Sequence, residues 1–303
     1  MADLTRAYST KNLSKAWKWI LSNPDWKYKQ YFRHLYRAYS VCARENIENL
    51  GLRLREDTYT ATTPVRIYFP KRSGILRPYT LLSIEDQIVY QALANIVAPK
   101  LYAVTRKRYM KTVFGNLYAG GDSDFFYVDW RKTYRRFSEA YVGYVKDGWG
   151  LAATFDLTAC YDSIDHGVLE HELGELGLDH EFAEKMVFFL RRWTTCCNGE
   201  PIEKRHGIPQ GPLTSGLISE CVLSRFDDAT SRTKSTKYLR YVDDIRLLAR
   251  TEMQLRRSLI DLDLISKKLG LFPQSAKIDI HPVKEPKKEI RAFVYSEDAR
   301  NPA

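Results

Sequence analysis

Two short apolar segments, each carrying aspartate at one end, constrain the fold of this chain more than any other feature. The first covers 151–156 and predicts a buried strand that ends at Asp156. The second covers 237–249, where two apolar runs flank Asp243 and Asp244 as in a β-hairpin with acids at its tip. Burying a carboxylate is unfavourable unless a cation compensates its charge. The pattern therefore predicts neighbouring strands that bring these acids together.

Carboxylates held side by side repel one another unless a cation neutralises them. Their hard oxygen atoms suit Mg²⁺, with Mn²⁺ as the alternative ion. Two such ions, about 3.5–4 Å apart, can activate an attacking hydroxyl and stabilise the leaving oxygen of a phosphate. Aspartate is also a favoured turn residue, so Asp243 and Asp244 taken alone are better explained as a solvated turn.

The composition is that of a folded protein with a basic surface. The chain has 303 residues, of which 44% are hydrophobic and 28% charged, and its net charge is +10. These values exclude disordered, collagen-like and disulfide-scaffold proteins. The length suggests roughly two domains, or one large domain with subdomains. The excess of Lys and Arg favours a polyanionic partner.

Cysteine usage and the N-terminal sequence favour a cytoplasmic protein. The five cysteines form no C-x-x-C motif, so neither a disulfide framework nor a zinc site is indicated. The first residues contain no apolar signal segment, and no uncharged stretch approaches the roughly 18 apolar residues of a membrane span. We expect reduced thiols, a cytoplasmic location and no contact with a membrane.

The N-terminal region predicts helices with an aromatic and basic face. Residues 13–50 are expected to be helical, with a break at Asn23 and Pro24. Aromatic side chains there alternate with Lys and Arg, a combination that can bind nucleic acid. We favour packing of these aromatic side chains in the core, which is the usual role of an amphipathic stripe.

The rest of the chain alternates between predicted strands and helices. A strand at 64–70 and a basic turn precede a helix that Ser83 opens as a capping box and that ends at Pro99. We expect 100–150 to be irregular. We expect further helices at 167–193, after the GIPQGP loop to about Thr230, and at 251–269, where Gly270 ends the last one. This alternation indicates an α/β or α+β core.

Three segments in fixed order carry a resemblance to a known family. They are FDLTACYDSID (155–165), HGIPQGPLTSG (206–216) and YVDD (241–244). They resemble motifs A, B and C of reverse transcriptases. PKRSGILRP (70–78) and LGLFPQSAK (269–277) resemble the fingers segment and motif D of the same superfamily. Each motif alone is a weak signal, but five in the family order argue against a chance match.

The resemblance implies an α+β fold with the fingers and palm of a right-hand polymerase and an RRM-like antiparallel palm sheet. We expect a helical N-terminal extension at 1–60, fingers with an insertion at 61–150 and the palm at 151–285. Residues 286–303 are expected to form a tail or a truncated thumb, because no clear primer-grip or thumb motif follows Ile280. Partner RNA, another subunit or the N-terminal helices would then hold the duplex.

The resemblance also assigns roles to the acids. Asp156 and Asp243 would bridge two Mg²⁺ ions, with Asp244 nearby and the Leu157 carbonyl as a further oxygen ligand. Lys277 matches the motif D lysine that protonates the leaving pyrophosphate, although its surroundings match the motif loosely. A plain surface lysine is an equally good interpretation of Lys277.

Further residues match the nucleotide-binding positions of the family. Tyr161 occupies the position of the bulky aromatic residue that excludes a ribose 2′-hydroxyl and so selects deoxynucleotides. Gln210 matches the residue that contacts the nascent base pair, and Gly211 lets the backbone approach nucleic acid. Lys71 and Arg77, with Arg72 as an alternative, match the fingers cations that bind the triphosphate.

Within the superfamily, the chain is most similar to the abortive-infection and defence-associated unknown-group reverse transcriptases of bacteria. The resemblance lies in YVDD, in PQGPLTSGLISE and in the insertion at 114–137. It implies an RNA-directed DNA polymerase of an anti-phage system that uses dNTPs, makes DNA and takes a noncoding RNA as template or scaffold.

Two alternatives stay open: a template-independent or protein-primed DNA polymerase of the same fold, and a catalytically idle RNA-binding palm. The intact acids argue against the idle palm. A protein partner or a homo-oligomer is compatible with the sequence, which does not indicate either.

Overall fold

The computed structural model describes residues 2–22, 26–70, 74, 76–195, 202–230, 235–275 and 278–290, with the backbone alone at 26–32 and 229–230. In chain order the elements are α1 (Ala2–Ala7), α2 (Thr10–Ser22), α3 (Trp26–Val41), α4 (Ala43–Arg55), β1 (Val65–Pro70), β2 (Leu76–Leu81), α5 (Ile84–Thr105), a 3-10 turn (Arg106–Arg108), α6 (Trp130–Lys146), β3 (Leu151–Phe155), α7 (Cys160–Ser163), α8 (His166–Glu175), α9 (His180–Thr194), α10 (Ser215–Thr230), β4 (Lys237–Tyr241), β5 (Asp244–Ala249), α11 (Glu252–Lys268) and β6 (Ile280–Pro282). The α+β class predicted from the sequence is confirmed.

A four-stranded antiparallel sheet with the strand order β4-β5-β3-β6 forms the centre of the palm region. Side chains alternate between its two faces. Ala153, Phe155, Ile245 and Leu247 join the large core, which also takes buried side chains from α8 to α11. This face is therefore covered by the helices that follow β3 and β5 in sequence.

The opposite face of this sheet is covered by α6. Ala152, Leu239 and Leu248 pack there in a smaller apolar cluster with Phe137 and Tyr141 of α6. We expected 100–150 to be irregular, and α6 shows that this was wrong for its last third. The helix begins at the cap residue Asp129, and its buried residues recur at helical spacing, a signal that the many Tyr and Arg residues obscured.

A separate two-stranded antiparallel sheet, β1-β2, forms the fingers hairpin. The helix α5 follows it, with Ser83 as the predicted N-cap: its hydroxyl accepts a hydrogen bond from the Asp86 amide at 3.1 Å. The predicted end at Pro99 is wrong, since α5 continues to Thr105. Because α5 is buried along most of its length, packing stabilises it enough to offset the backbone hydrogen bond that proline cannot make.

The N-terminal helices pack against α5. Trp17, Trp19 and Tyr36 are buried, which confirms the predicted core role for these members of the aromatic stripe. The aromatic side chains between 26 and 32 lie outside the described side chains. Arg33 and Arg37 of α3 are exposed, so the basic part of the stripe faces away from the core.

The remaining predicted elements are present with two changes. The predicted helix over 167–193 is two helices, α8 and α9, separated at Gly177, whose φ of +74° is a left-handed conformation that glycine adopts without strain. The helix after the GIPQGP loop begins only at Ser215. The hairpin β4-β5 and the helix α11 agree with prediction, and Thr251 begins α11 as the N-cap of a capping box. None of the described helices is long and apolar enough to cross a membrane.

Candidate active site

The pairing of β3 with β5 sets where the acids lie. Phe155, the last residue of β3, pairs with Ile245 in an antiparallel register. Continuing that register by one residue sets Asp156 beside Asp244. Asp243 lies in the tight turn between β4 and β5, immediately before Asp244. The fold thus brings together two chain segments that are far apart in sequence and that both carry carboxylates.

Asp156 and Asp243 both affect the pKa of the buried Cys160 thiol. Burial raises the pKa of Cys160 well above its usual value, and the negative charges of Asp243 and Asp156 raise it further. Both carboxylates therefore act electrostatically on the same side chain, which lies at the start of α7. This agrees with the β3-β5 register, which brings Asp156 and the turn that carries Asp243 to the same end of the sheet.

Asp244 has a different environment. Its side chain is buried, and its Oδ2 atom lies 3.1 Å from Nη2 of Arg246. Arg246 also donates to the Thr154 hydroxyl at 2.6 Å, and these two residues are partners in the β3-β5 register. A guanidinium therefore fixes Asp244 to the sheet. The three acids are not equivalent: Asp244 is anchored by protein, whereas Asp156 and Asp243 are only half-buried.

The side chain of Arg240 supports the hairpin from the helical side. It is fully buried, and its guanidinium donates to both carboxylate oxygens of Glu220 and of Asp227, all within 2.9 Å. Burial by itself lowers the pKa of Arg240, but the two carboxylates more than offset this and hold the pKa well above its usual value. Arg240 therefore stays charged and links β4 to α10.

Arg240 also holds the turn itself. Its Nη1 donates to the Val242 carbonyl at 2.8 Å. Val242 has a φ of +58°, a left-handed conformation that is rare for a β-branched residue. Such strain persists only where the surroundings enforce it, and it is frequent at functional sites. The contact explains how the turn before Asp243 keeps an unfavourable backbone conformation.

A glycine from the insertion packs directly under the same turn. A Cβ atom on Gly115 would lie 2.4 Å from the Val242 amide nitrogen, so no other residue fits there without movement. The preceding residue, Phe114, donates its amide to the Arg240 carbonyl at 2.9 Å. The next residue, Asn116, donates to the Gly216 carbonyl at the start of α10 at 3.3 Å. The segment 114–116 thus joins the hairpin to α10.

Tyr161 lies in α7, five residues after Asp156. Burial raises the pKa of its hydroxyl well above the usual value; a hydrogen bond with Ser219 of α10 lowers it and the charge of Asp243 raises it. The hydroxyl therefore lies near both Ser219 and Asp243. The ring packs against the edge of the large core and is partly exposed.

Backbone hydrogen bonds tie the glycine-rich loop to the segment that follows Asp156. Ile208 donates to the Tyr161 carbonyl at 2.8 Å, and Gly207 donates to the Ile164 carbonyl at 2.7 Å. Gly211 has a φ of +116°, which L side chains rarely adopt, so glycine is required for the shape of this loop.

The side chain of Gln210 joins the loop to Asp162, the residue after Tyr161. Its Nε2 donates to Oδ2 of Asp162 at 2.8 Å. Arg66 of β1 approaches the other carboxylate oxygen of Asp162 at 4.0 Å, and the Gln210 carbonyl accepts from the Thr80 amide of β2 at 2.8 Å. Gln210 therefore lies where the fingers hairpin meets the palm.

The segment that resembles motif D runs alongside Leu157. Gln274 donates its amide to the Asp156 carbonyl at 2.8 Å, and Thr158 donates to the Phe272 carbonyl at 2.8 Å. These bonds lie on either side of Leu157, which forms a bridge with Pro273. Neither bond uses the Leu157 carbonyl oxygen, the predicted metal ligand.

Of the predicted site cations, the structure describes only Arg77. Lys71, Arg72 and Lys277 lie outside the described residues. Arg77 lies on β2, half-buried and paired with Phe69 of β1. Their roles stay predictions, as does the role of every other candidate site residue.

The donor set suits the divalent ions that the resemblance implies. Asp156 and Asp243 offer hard carboxylate oxygens at one end of the sheet, and the Leu157 carbonyl is adjacent in the chain. Oxygen donors of this kind match Mg²⁺. The Oδ2 atom of Asp244 is already paired with Arg246, so an ion bound there would compete with that guanidinium. Asp156, Asp243 and the Leu157 carbonyl are therefore the donors best suited to such an ion, and their role as ligands stays a prediction.

Sequence reasoning missed Arg240, Arg246 and Gly115. The strand pattern contains a signal for Arg240, because a cation on the apolar face of a strand requires a buried partner. The partners Glu220 and Asp227 could not be identified from it. Nothing in the sequence near Gly115 shows that it meets Val242, which is far away along the chain.

Comparisons with known proteins agree with this arrangement. A family model described as Reverse transcriptase (RNA-dependent DNA polymerase) matches residues 69–289. The structure of apo telomerase from Candida Tropicalis is similar, with a TM-score of 0.52 at 14% identity, over 74% of this chain and 45% of that chain. The complex of Candida Tropicalis telomerase with a TWJ fragment of telomeric RNA gives a TM-score of 0.52 at 13% identity, over 75% of this chain and 42% of that chain.

At these identities the likeness to the telomerases shows the fold alone. The chain spans less than half the length of either telomerase. No curated protein matches the sequence.

Proposed function

The chain belongs to the reverse transcriptase family, whose model covers most of its length, and on that premise we propose that it catalyses RNA-directed DNA synthesis. The reaction is the transfer of a nucleotidyl group from a dNTP to a primer 3′-hydroxyl, with pyrophosphate as the leaving group. The observation that carries this proposal is the β3-β5 register, which sets Asp156 beside Asp244 and next to the turn that carries Asp243.

Divalent metal ions, Mg²⁺ or Mn²⁺, would be held by Asp156, Asp243 and the Leu157 carbonyl, and would activate the hydroxyl and stabilise the leaving oxygen. The protein's own contribution is to keep these ligands in place. Arg240 and Gly115 hold the turn that carries Asp243, and Gln274 holds the backbone of Asp156. Preorganisation of this kind lowers the barrier, because no rearrangement is needed at the moment of reaction.

Binding of the incoming nucleotide is proposed for the space between the fingers hairpin and the glycine-rich loop. Arg77, with Lys71 or Arg72, would bind the triphosphate, and Gln210 and Gly211 would face the nascent base pair. The contact between Thr80 and Gln210 supports this, because it brings β2 against the loop. Lys277 would deliver a proton to pyrophosphate, since it lies three residues beyond Gln274, which contacts the Asp156 backbone.

The test measures extension of a DNA primer on an RNA template by the purified chain. Asp243→Asn keeps the shape of the side chain but removes its charge, so we expect synthesis to fall by about 10³-fold or more. The matched control is Asp261→Asn on the exposed face of α11, with no expected change. Unchanged synthesis in Asp243→Asn contradicts the proposed site.

Sequencing of the DNA product and of any nucleic acid that copurifies distinguishes the remaining alternatives. A product complementary to the RNA supports templated copying. A product without a template identifies an untemplated or protein-primed polymerase. Copurifying RNA with no DNA synthesis identifies an RNA-binding palm and overturns the proposal.

Selection of deoxynucleotides is proposed for Tyr161. Support comes from its place in α7, five residues after Asp156, and from the charge of Asp243, which contributes to the raised pKa of its hydroxyl. Tyr161→Ala removes the clash with a 2′-hydroxyl, and we expect relative use of ribonucleotides to rise by about tenfold or more. Single-nucleotide addition with dNTP and rNTP measures this ratio. A constant ratio shows that another residue discriminates.

We further propose that the enzyme is a bacterial anti-phage protein that acts in the cytoplasm with a noncoding RNA as its template. Support comes from the sequence resemblance in the YVDD motif, the PQGPLTSGLISE segment and the insertion. Plaque counts on cells that express the wild type or Asp243→Asn test this. Protection by the wild type alone supports the proposal, and equal plaque counts contradict it.

A further inference from the structure

The outer face of α6 carries an unusual concentration of positive charge. The helix contains five cations and a single carboxylate, Glu139. Arg131, Lys132, Arg135 and Arg136 all fall within its first two turns and are exposed. Of these four cations, only Arg136 has an ion-pair partner among the described residues, Glu139 at 3.3 Å.

This placement works against the stability of the helix. The N-terminal turn of a helix favours negative charge because of its dipole, and beyond the N-cap Asp129 the first turn of α6 holds cations and no acid. In addition, Arg131 with Arg135 and Lys132 with Arg136 are like-charge pairs four residues apart, which are mutually destabilising. Helix stability therefore does not explain these cations, and a partner of opposite charge does.

The helix α11 shows the contrasting arrangement on the other side of the sheet. It has four cations and three acids, and pairs such as Arg256 with Glu252 at 2.5 Å and Lys267 with Asp263 join them along its surface. A surface with cations and acids paired in this way is typical of the solvent-facing side of a helix.

The inner face of α6 lies against the catalytic hairpin. The ring of Tyr134 meets that of Tyr241 edge-on, with 5.6 Å between the centroids, and Phe137 lies 5.7 Å from the same ring. Burial raises the pKa of Tyr134 to about 12, and the charge of Asp244 contributes to this increase. Tyr134 lies between Arg131 and Arg135 in the first turns of the helix, so these cations are within one helical turn of a residue whose ring contacts Tyr241 at the end of β4.

We propose that the exposed face of α6 formed by Arg131, Lys132 and Arg135 binds the phosphodiester backbone of the primer–template. Arg131 and Arg135 are spaced by about 6 Å along the helix axis, which allows contact with neighbouring phosphates. Binding would release counterions and hold the duplex beside the hairpin. The inference rests on the proposed function, because the duplex is the nucleic acid that the catalytic acids act on.

The experiment titrates the full chain against a labelled RNA–DNA primer–template at salt concentrations from about 50 to about 200 mM. The variant is Arg131→Gln combined with Lys132→Gln and Arg135→Gln. We expect the slope of log affinity against log salt to become shallower by about 2 to 3, and affinity at the lower salt to fall by about tenfold or more. The melting temperature should stay constant or rise, because like charges are removed from the helix.

The control variant combines Arg256→Gln, Arg257→Gln and Lys268→Gln on α11, which removes the same charge from the other side of the sheet. We expect its slope to match that of the wild type. A wild-type slope in the α6 variant overturns the inference, and so does an equal loss of slope in the α11 variant, which would indicate net charge alone.

Failure of this inference and failure of the proposed function give different results. If the wild type extends primers but the α6 variant keeps the wild-type salt slope, the inference is wrong and the proposed function stands. If binding depends on α6 but no condition gives DNA synthesis, the binding surface stands and the proposed function is wrong.

Discussion

The chain contains two antiparallel hairpins at its proposed site, and they are built in opposite ways. The hairpin β4-β5, which carries the proposed metal ligand Asp243, lies inside a four-stranded sheet, is buried along most of its length and has its turn held by Arg240 and Gly115. The fingers hairpin β1-β2 is a separate two-stranded sheet with mostly exposed or half-exposed residues. Its contacts with the rest of the chain include the hydrogen bond from the Thr80 amide to the Gln210 carbonyl and the ion pair of Arg66 with Asp162.

The difference follows from what each hairpin presents. Metal ligands lose function when they shift by a fraction of an ångström, so their element has to be buried and fixed. A two-stranded hairpin in water is at best marginally stable on its own. The cations proposed to bind the triphosphate would act over a longer range, so an exposed hairpin is sufficient to present them.

The largest expected effect is the loss of the buried charge network. Arg240→Met leaves Glu220 and Asp227 buried without their cation, so we expect the free energy of unfolding to fall by about 3–5 kcal/mol. Urea unfolding measures this as a lower midpoint with an unchanged slope. The control is Arg256→Met on α11, which removes a cation from the exposed carboxylate of Glu252 and should cost less than about 1 kcal/mol. Equal losses would show that the Arg240 network has no special role.

A smaller effect is expected from crowding the catalytic turn. Gly115→Ala inserts a methyl group against Val242, so the turn that carries Asp243 has to move. We expect kcat to fall by about 10²-fold, because a displacement near 1 Å has that effect on catalytic geometry. Single-turnover extension of a primer at saturating dNTP measures this rate.

The control for this change is Gly143→Ala on α6, where no atom lies within 4 Å of the added methyl group. We expect the control to keep its rate and to gain about 1 kcal/mol of stability. Equal rates in Gly115→Ala and the wild type would show that the turn adapts.

A substitution in the fingers hairpin should weaken dNTP binding without lowering the free energy of unfolding. Arg77→Ala removes a cation from a half-buried position, and we expect KM for dNTP to rise by about tenfold while the free energy of unfolding changes by less than about 0.5 kcal/mol. Steady-state kinetics and urea unfolding together test this. Leu76→Ala, on the exposed neighbour, should change neither quantity. A destabilised Arg77→Ala would mean that the hairpin is a rigid part of the fold.

The smallest expected effect is on the pH dependence of the free energy of unfolding, and it arises from His166 beside the glycine-rich loop. His166 is buried, and its Nε2 forms a hydrogen bond with the Gly207 carbonyl at 2.7 Å. Burial lowers the pKa of His166; the Gly207 hydrogen bond raises it in part, and the nearby charge of Arg191 lowers it. The unfolded chain therefore binds a proton at a higher pH than the folded chain.

It follows that this histidine destabilises the fold as the pH decreases below about 6.5, by at most about 1.4 kcal/mol per pH unit. Above that pH the histidine is neutral in both states and contributes no pH dependence. Urea unfolding measured between about pH 7.5 and about pH 5.5 should show this decrease in the free energy of unfolding of the wild type. The decrease should be smaller in His166→Gln. The exposed His180→Gln is the control and should keep the wild-type dependence.

Most secondary structure in the palm was predictable, because the signals for it are local. The alternation in β4 and β5, the aspartates between them and the capping box at Thr251 each involve residues that are adjacent or three apart. The errors occurred where packing overrides a local rule. Pro99 does not end α5 because the helix is buried, and α6 was missed because aromatic and basic residues obscured its apolar stripe.

The sequence alone determined the candidate chemistry: which residues carry the acids, in what order, and on which strands. The tertiary structure alone decided the rest. It pairs Asp244 with Arg246 instead of leaving it equivalent to Asp156, directs Arg240 at Glu220 and Asp227, and presses Gly115 against Val242. It also sets the basic face of α6 beside the hairpin. These contacts join segments that are distant in the chain, and their energies depend on burial and on distances of a few ångströms, neither of which exists until the chain has folded.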